Sequence, residues 1–368
     1  MSNYYPKDDN AILEINLKAL SSNFKVLKKK LNKNIECAAT VKANAYGIGD
    51  KAVIKSLIKS GCRSYFVAHL SEAVRLREYS KKIKVYCYHG IGIKNYREFL
   101  KYNIIPIANT LQQVLMVNAL NLKNKFNKDI AIHFDTGMSR LGLDVNETEW
   151  LIKNKDKISS IKVELIMSHL ACADQPSNPM NEKQYKKFIA IRKEFKKSKA
   201  SLSNSAGIFL NKKYHFDLVR PGIALYGGNP FINKKIKLSN VVNLKAKIIQ
   251  TRRLQKGDTV GYGATFKAKK DMLVGTIAIG YADGISRKFS NNMQVILENK
   301  SLKVLGRISM DLITIDISPF PEIKISKKIT YVDILSKSNN INIISKNIDT
   351  ISYEILTSLG GRYKIKYI

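Results

Sequence analysis

One pattern repeats between about residues 35 and 225, in which a short apolar, β-branched run precedes a lysine-rich stretch with helical periodicity. Because each strand of such a chain returns through a helix, the alternation predicts a parallel sheet. About eight strand–helix units predict closure into a (β/α)8 TIM-like barrel, and a doubly wound open sheet is the structural alternative. The candidate strands lie at 36–43, 64–70, 84–90, 103–109, 129–135, 163–169, 200–205 and 217–227.

The pattern changes after about residue 238, where strand-like runs are separated by turn-forming residues instead of helical segments. We therefore predict a barrel domain over residues 1–237 and a mostly β C-terminal domain over residues 238–368. Ahead of the barrel, residues 11–20 predict a short strand that runs into a helix. The polar stretch 336–347 is interpreted as an excursion on the surface.

The composition is strongly basic, with a formal net charge of +34. Clustered basic residues bind the phosphates of nucleic acids. Here the lysines are spread over nearly every amphipathic segment, and no zinc-finger spacing or RNA-recognition aromatic motif occurs among them. We interpret the charge as a solvated surface and predict no nucleic-acid partner, although such a field would help an acidic ligand to bind.

The four cysteines, Cys37, Cys62, Cys87 and Cys172, show no CxxC spacing, which argues against structural zinc and against a disulfide scaffold. The first ten residues contain no apolar signal segment, and no apolar run has the length needed to cross a bilayer. These observations predict a soluble cytoplasmic protein with no metal site and no membrane partner.

Polar residues stand where the predicted strands end, which is where barrel enzymes carry their functional groups. Lys42, in the stretch VKANAYGIG, ends the first strand, and lysine is rarely buried unless it is paired or used in chemistry. Each such residue alone would be an ordinary strand-end residue, but their convergence on one rim favours a site. The others are Asp135 and Arg140 after the fifth strand, His169 after the sixth, Asn204 and Ser205 after the seventh, and Arg220, Gly222 and Ile223 after the eighth.

The last two strand ends suit a phosphate group. Asn204 and Ser205 precede a helix start, and with the backbone of residues 221–223 they offer hydroxyl and N–H donors. A lysine that faces an arginine and a histidine suits a flat anion with a carbonyl group, to which the lysine can bond covalently. Pyridoxal phosphate meets all of these demands.

Eight motifs occur in the order seen in alanine racemases, and the chain resembles that family from about Ala11 to Tyr363. The motifs are VKANAYGIG, DTGMSRLGL, MSHLACAD, SNSAG, VRPGIALYG, VGYGATF, GYADG and GRISMDL. The resemblance implies a barrel plus a β domain, pyridoxal phosphate as cofactor, and a head-to-tail homodimer whose active sites each take residues from both subunits. It also implies interconversion of L- and D-alanine, which supplies D-alanine for peptidoglycan.

By resemblance, Lys42 would hold the cofactor and serve as one catalytic base, and Tyr262 of the other subunit would be the opposite base. Racemisation needs two bases because a proton leaves one face of the substrate and returns on the other. Both groups then need pKa values below their usual values of roughly 10 to work near neutral pH, which a cationic and partly desolvated pocket can provide.

The resemblance also implies the remaining contacts. Arg220 would face the pyridine nitrogen with His169 behind it, and Arg140 would lie near the phenolic oxygen of the cofactor and contribute to the substrate site. The main-chain N–H of Met310 would bind the substrate carboxylate, with Tyr281 at the entrance. The phosphate would be held by Tyr46, Ser205, Gly222, Ile223 and Tyr353.

Two residues depart from the family pattern. Ile48 stands where a histidine is common, so any polar contact made by that histidine is lost. His133 stands where many members carry a lysine that becomes carbamylated and orients the equivalent of Arg140. Because histidine cannot form that stable carbamate, Arg140 must be positioned otherwise, by a bound anion or another carboxylate.

Two alternative functions remain open. A broad-specificity amino-acid racemase on the same scaffold would need a roomier pocket around Tyr281 and Tyr353. A non-catalytic protein that binds pyridoxal phosphate on a related single barrel lacks the β domain that carries Tyr262, so the C-terminal part of this sequence argues against it.

Overall fold

Parallel strands hydrogen-bond to one another in chain order in the first part of the molecule, as the repeating pattern predicts. The computed structural model describes residues 10–323 and 329–368. These residues form a barrel unit (21–225 and 229–238) and a β unit (10–20, 226–228 and the described residues from 239 onward). The barrel strands are Glu36–Cys37, Ala39–Thr40, Ser64–Val67, Lys84–Cys87, Ile105–Ala108, Ile130–His133, Val163–Met167, Lys199–Ser201 and Leu218–Val219.

The barrel closes because its first strand bonds to its last. Glu36–Cys37 pairs in parallel with Leu218–Val219, and Ala39–Thr40 continues the same strand and pairs with the second one. The last strand is joined to the seventh by backbone N–H groups of Asp217 and Arg220, which donate to the carbonyls of Ala200 at 3.0 Å and Ser203 at 2.9 Å. The predicted eight-stranded closure is thus confirmed.

Helices alternate with these strands, and some of them begin at a side chain that accepts one of their first N–H groups. Thr110 accepts from the N–H of Gln113, and Asp144 accepts from Glu147, whose own side chain accepts from the Asp144 N–H. The helices are Leu17–Lys28, Asp50–Lys59, Leu70–Tyr79, Tyr96–Lys101, Leu111–Leu122, Val145–Lys153, Pro179–Glu194 and Gly207–Leu210, with 3-10 turns at Lys155–Ile158, Lys212–Tyr214 and Ile223–Tyr226.

Large side chains from successive strands fill the inside of the barrel, so it is a packed core rather than a pore. Phe66 and Tyr86 are buried and their rings stack with centroids 4.5 Å apart. The Tyr86 hydroxyl donates to Glu164 Oε1 at 2.9 Å, which gives this buried polar group a partner. The other members of this core are Ala38, Ile107, Ala131, Leu165, Met167 and Leu218.

The β unit is built on a closed antiparallel barrel. Its longest strand, Val242–Leu254, pairs with both Met272–Ile277 and Tyr331–Leu335, and the strands Gln294–Leu297, Lys300–Leu305 and Ile313–Asp316 complete the ring. The remaining elements are the hairpin Thr259–Val260 with Phe266–Lys267, the 3-10 turns Tyr262–Ala264, Tyr281–Asp283 and Arg287–Phe289, the helices Ile341–Asn347 and Ser352–Ser358, and the strand Lys364–Tyr367. A TIM-like barrel followed by a mostly β domain is the predicted fold class, and it is confirmed.

The strand ahead of the barrel joins the β unit. Ala11–Ile15 runs antiparallel to Val242–Leu254 and parallel to Lys364–Tyr367. The predicted domain limits, 1–237 and 238–368, placed this strand with the barrel, because alternation of apolar residues does not say which sheet a strand will join. Residues 1–9 and 324–328 lie outside the described residues, and the boundary near residue 237 stays a prediction.

Two further sequence interpretations can be compared with the structure. The stretch 336–347 contains the helix Ile341–Asn347, so its interpretation as a surface excursion was wrong for those residues. The Asn340 side chain caps this helix, while Ile341 and Ile344 are buried. None of the helices in the described part of the chain combines the length and the apolar character that crossing a membrane requires.

We expect Leu13→Ala to lower the free energy of unfolding by about 2–5 kcal/mol, because Leu13 is fully buried between two strands of the β unit. Urea unfolding followed by circular dichroism measures the loss. Lys18→Ala, at an exposed position of the adjoining helix, is the control and should change stability by no more than about 0.5 kcal/mol. Equal effects of the two changes would contradict the pairing described above.

Candidate active site

Lys42 opens a left-handed turn at the C-terminal end of the first barrel strand. The φ angles of Ala43, Asn44, Ala45 and Tyr46 lie between 53° and 58°, although none of these residues is glycine. Left-handed backbone costs roughly 1–2 kcal/mol for each such residue, so other contacts must hold the turn. The sequence prediction of a strand through residue 43 was therefore wrong at its end, since the strand stops at Thr40.

Backbone and side-chain hydrogen bonds close this turn. The N–H groups of Gly47 and Gly49 donate to the carbonyls of Ala43 at 2.8 Å and Asn44 at 3.0 Å. The Asn44 side chain accepts from the N–H of Asp50 at 3.0 Å, at the start of the next helix. Ile48, one of the two departures from the family pattern, is fully buried and contributes packing to the turn.

The position of Lys42 lowers the pKa of its amine. Partial desolvation by the surrounding protein is the main cause, and the guanidinium of Arg140 adds to it, whereas the carboxylate of Glu72 opposes the shift. A lowered pKa leaves more of the amine neutral near pH 7, which a lysine needs in order to attack a carbonyl carbon or accept a proton.

Tyr46, Ser205 and Gly222 meet in one corner of the barrel unit. Ser205 Oγ accepts from the N–H groups of Gly222 at 2.9 Å and Ala224 at 3.3 Å, so its own proton remains available to an anion. A Cβ atom on residue 222 would lie 2.2 Å from the Tyr46 hydroxyl, so only glycine fits here. Ile223 follows at the start of a 3-10 turn. Four of the five predicted phosphate contacts are thus close together.

Arg220 is buried beside this corner, and one of its three nitrogens has no acceptor within the described part of the chain. Its two terminal nitrogens donate to Ser201 Oγ and to the carbonyl of Ser168, and its guanidinium carbon lies 5.9 Å from the centre of the Phe66 ring. Among the described residues, no acceptor reaches its buried Nε. A buried N–H without an acceptor is costly, so this atom suits a ligand atom with a lone pair, such as the ring nitrogen of pyridoxal phosphate.

His169 and Asn204 lie next to each other at the neighbouring strand ends. The Asn204 oxygen accepts from the N–H of Gly207 at 2.9 Å, so its amino group faces His169 Nε2 in a long contact of 3.5 Å. Burial lowers the pKa of His169 well below its ordinary value, and the guanidiniums of Arg220 and Arg140 add to the effect. His169 is therefore neutral and lies near enough to Arg220 to interact with it electrostatically, and its place behind Arg220 relative to a cofactor stays a prediction.

Arg140 ends the loop that begins at Asp135. One oxygen of Asp135 accepts from the backbone N–H groups of Gly137, Met138 and Ser139 at 2.8 to 3.1 Å. Desolvation would raise the pKa of Asp135, but these hydrogen bonds outweigh it and lower the pKa. Arg140 itself is exposed, and none of the ion pairs among the described residues includes it. Of the two alternatives for positioning Arg140, another carboxylate is thus not found within this part of the chain, and a bound anion stays a prediction.

His133, the other departure from the family pattern, has a defined protonation state. Asn109 donates from its amino group to the carbonyls of Tyr88 at 2.7 Å and Ile107 at 3.1 Å, so its oxygen faces His133 Nδ1 at 3.0 Å. That nitrogen must carry the hydrogen, because an amide oxygen only accepts. Burial is the main cause that lowers the pKa of His133 to about 3, and Arg220 contributes. His133 is thus a neutral imidazole with its hydrogen on Nδ1.

The remaining predicted residues belong to the β unit, and their side chains are exposed. Backbone N–H groups of Tyr281 and Ala282 donate to the carbonyls of Ser309 at 3.1 Å and Met310 at 3.0 Å, which brings Tyr281 and Met310 together. Among the described residues, the Met310 N–H has no hydrogen-bond acceptor, as a carboxylate-binding group requires. Tyr262 lies on a turn flanked by glycines and is 68% exposed, and Tyr353 lies in the helix Ser352–Ser358.

Comparison with known proteins agrees with this geometry. The family models "Alanine racemase, N-terminal domain" and "Alanine racemase, C-terminal domain" match residues 15–230 and 241–367. The chain belongs to the alanine racemase family. It is 43% identical to alanine racemase of Rickettsia bellii over 340 residues, which cover 91% of this chain and 82% of the relative. It is also 37% identical to that of Rhodospirillum rubrum over 358 residues, covering 97% and 96% of the two chains.

A solved alanine racemase has the same fold. The structure of the Bartonella henselae alanine racemase with covalently bound pyridoxal phosphate superposes with a TM-score of 0.93 at 35% identity, covering 98% of this chain and 100% of that one. The family assignment made from the ordered motifs is therefore confirmed. The sequence did not indicate roles for Glu72 and Asn109 of the present chain. The Glu72 side chain accepts from the N–H of Ala43, next to Lys42, and the Asn109 side chain bonds to His133.

His133 should remain neutral, with its hydrogen on Nδ1, from neutral pH down to about pH 5. Nitrogen-15 NMR of labelled protein reports both properties. The pKa of His133 is about 3 in the folded protein and 6.5 at its ordinary value, which applies to the unfolded chain. Between these two pH values the unfolded chain binds a proton that the folded protein does not, so the free energy of unfolding decreases as pH falls through this range. As a control, Asn109→Asp should raise the pKa of His133 by placing a carboxylate beside Nδ1. Titration of the wild-type residue near its ordinary value would contradict the geometry.

Proposed function

We propose that this protein is an amino-acid racemase, an isomerase that uses pyridoxal phosphate to interconvert L- and D-alanine and so supplies D-alanine for peptidoglycan. The observation that carries the proposal is the buried Arg220 Nε without an acceptor, beside a corner of hydroxyl and N–H groups. A ring nitrogen would satisfy the first feature and a phosphate the second. The four cysteines are free thiols, which favours the reducing cytoplasm.

The proposed cofactor, when bound, withdraws electrons from the substrate's α carbon and makes its C–H bond acidic. The residues of the barrel hold and orient it. The Ser205 hydroxyl would bind the phosphate, with Gly222, Ile223 and Tyr46 alongside. Arg220 would donate to the ring nitrogen and keep its own proton, because a guanidinium does not deprotonate in proteins.

Lys42 has two roles in this proposal. Its amine would hold the cofactor, and as a free amine it would remove or return the α proton on one face of the substrate. Both steps need a neutral amine, and desolvation together with Arg140 lowers the pKa of Lys42 in that direction. The neutral states of His169 and His133 prevent these residues from adding further positive charge near Lys42.

The opposite face needs a second base, and we infer that Tyr262 of a second subunit supplies it. A homodimer is part of this proposal and rests on the exposure of Tyr262, Tyr281 and Met310 on the β unit. The open N–H of Met310 would bind the substrate carboxylate, with Tyr281 at the entrance and Tyr353 as an additional phosphate contact. The methyl side chain of alanine forms no hydrogen bond and takes no part in the reaction in this scheme. The range of amino acids accepted therefore depends on the space around Tyr281 and Tyr353.

Purified protein supplied with pyridoxal phosphate should show the visible absorbance of a lysine-bound cofactor and should racemise alanine faster than serine. Lys42→Ala should remove both signals, because no amine remains to bond to the cofactor. Lys51→Ala, a change at an exposed lysine nearby, should leave both intact. Comparable rates on alanine and serine would favour the broad-specificity alternative, and bound cofactor without racemisation would favour the non-catalytic one.

Mixing two inactive variants tests the shared site. If Lys42 and Tyr262 come from different subunits, a heterodimer of Lys42→Ala and Tyr262→Phe chains has one site with both bases intact. Denaturing and refolding an equimolar mixture should therefore restore about a quarter of wild-type activity. Each variant refolded by itself is the control. Absence of recovery, with dimers present by light scattering, would mean that each site lies within one chain.

A further inference from the structure

The carboxylate of Glu72 connects the Lys42 turn to the neighbouring helix. Its Oε1 accepts from the N–H of Ala43 at 2.6 Å, and its Oε2 accepts from the N–H groups of Ala68 at 2.9 Å and His69 at 3.0 Å. The side chain is 7% exposed. A buried carboxylate with both oxygens engaged by backbone N–H groups has a fixed position.

The contact to Ala43 lies where the backbone enters the left-handed conformation. Ala43 is the residue directly after Lys42 and the first of the four left-handed residues, with φ 53° and ψ 51°. The turn's own hydrogen bonds use the N–H groups of later residues, including Ala45, so the Glu72 carboxylate is the acceptor that the described residues provide for the N–H of Ala43. The carboxylate thus stabilises the backbone at the point that sets the direction of Lys42.

Glu72 is held by backbone groups alone. None of the ion pairs among the described residues includes it, although the Lys42 ammonium is near enough for the carboxylate to oppose the lowering of its pKa. Its place three residues after His69 is typical of a helix-capping glutamate. Capping explains the contacts of Oε2 but not the contact of Oε1 to Ala43.

We propose that Glu72 is a positioning residue for Lys42, which holds the left-handed turn so that the amine stays at the mouth of the barrel. This inference rests on the proposed function of Lys42 as the residue that bonds to the cofactor. Glu72 does not touch the reacting atoms in this scheme. It raises the fraction of molecules in which Lys42 is ready to bond.

Glu72→Gln is the appropriate change, because an amide keeps the size of the side chain but has a single accepting oxygen. Its NH2 group can only donate, so it would oppose either the Ala43 N–H or the N–H groups of the helix. Glu147 offers a matched control, since its carboxylate also connects two segments by accepting from the N–H of Leu111 at 2.8 Å and of Asp144 at 3.2 Å. Glu147→Gln removes an equivalent cap that has no contact with the Lys42 turn.

Hydrogen exchange measured by mass spectrometry provides a readout that does not depend on activity. Glu72→Gln should speed exchange in the peptide covering residues 42–49 by roughly five- to thirtyfold, and Glu147→Gln should leave that peptide unchanged. The fraction of Lys42 that becomes labelled when borohydride is added at limiting pyridoxal phosphate should fall with Glu72→Gln by a similar factor, because fewer molecules are competent to bond.

A second change tests the mechanism and covers the case in which Glu72→Gln does not fold. Glycine has no penalty in the left-handed region, so Ala43→Gly should restore much of the protection and labelling lost with Glu72→Gln. In protein that carries Ala43→Gly, the effects of Glu72→Gln and Glu147→Gln on hydrogen exchange and labelling can again be compared. Equal exchange and labelling in the Glu72 and Glu147 variants would overturn the positioning role. If borohydride still attaches the cofactor to the Lys42→Ala protein to the same extent, the proposed function of Lys42 would instead be overturned.

Discussion

The hydrogen bonds that close the barrel bring the proposed cofactor contacts together. The N–H groups of Ala38 and Thr40 donate to the carbonyls of Val219 at 3.0 Å and Pro221 at 2.9 Å, so the first and last strands run side by side. One strand then leads into the turn that begins at Lys42, and the other leads into Gly222. The Thr40 hydroxyl contacts the Arg220 carbonyl, although these residues are 180 positions apart in sequence. Residues from both ends of the barrel sequence can therefore lie around one ligand.

Two guanidiniums act on the titratable residues of the candidate site in the barrel unit. Arg220 and Arg140 contribute to the low pKa values of His133 and His169, and Arg140 also lowers that of Lys42. The histidines consequently serve as neutral hydrogen-bonding groups. His133 is neutral, and among the described residues no ion pair includes Arg140. The guanidinium is then available to an anionic ligand rather than committed to a resident carboxylate.

The strand positions could be predicted because each barrel strand is a short apolar run, and the rim residues because parallel strands end at one edge. The end of the first strand could not, since alanines at 43 and 45 give no sign of left-handed backbone, and only Asn44 and the glycines at 47 and 49 hint at it. The helix at 341–347 was missed because its polar residues outnumber the buried Ile341 and Ile344. Glu72 was missed because a glutamate near a helix start is typical of a cap, whatever else it contacts.

The two structural units contribute different kinds of residue to the proposed site. In the barrel unit, Arg220 and Ser205 are buried and held by several hydrogen bonds, as binding groups for a resident cofactor need to be. In the β unit, Tyr262, Tyr281 and Met310 are exposed, as groups that meet a partner or an arriving substrate need to be. Lys42 combines both conditions, since the residue is exposed while the left-handed turn that follows it is held by hydrogen bonds. A lysine proposed to hold a cofactor and to act as a base needs that combination, because a buried amine could not move and an unfixed one would rarely return.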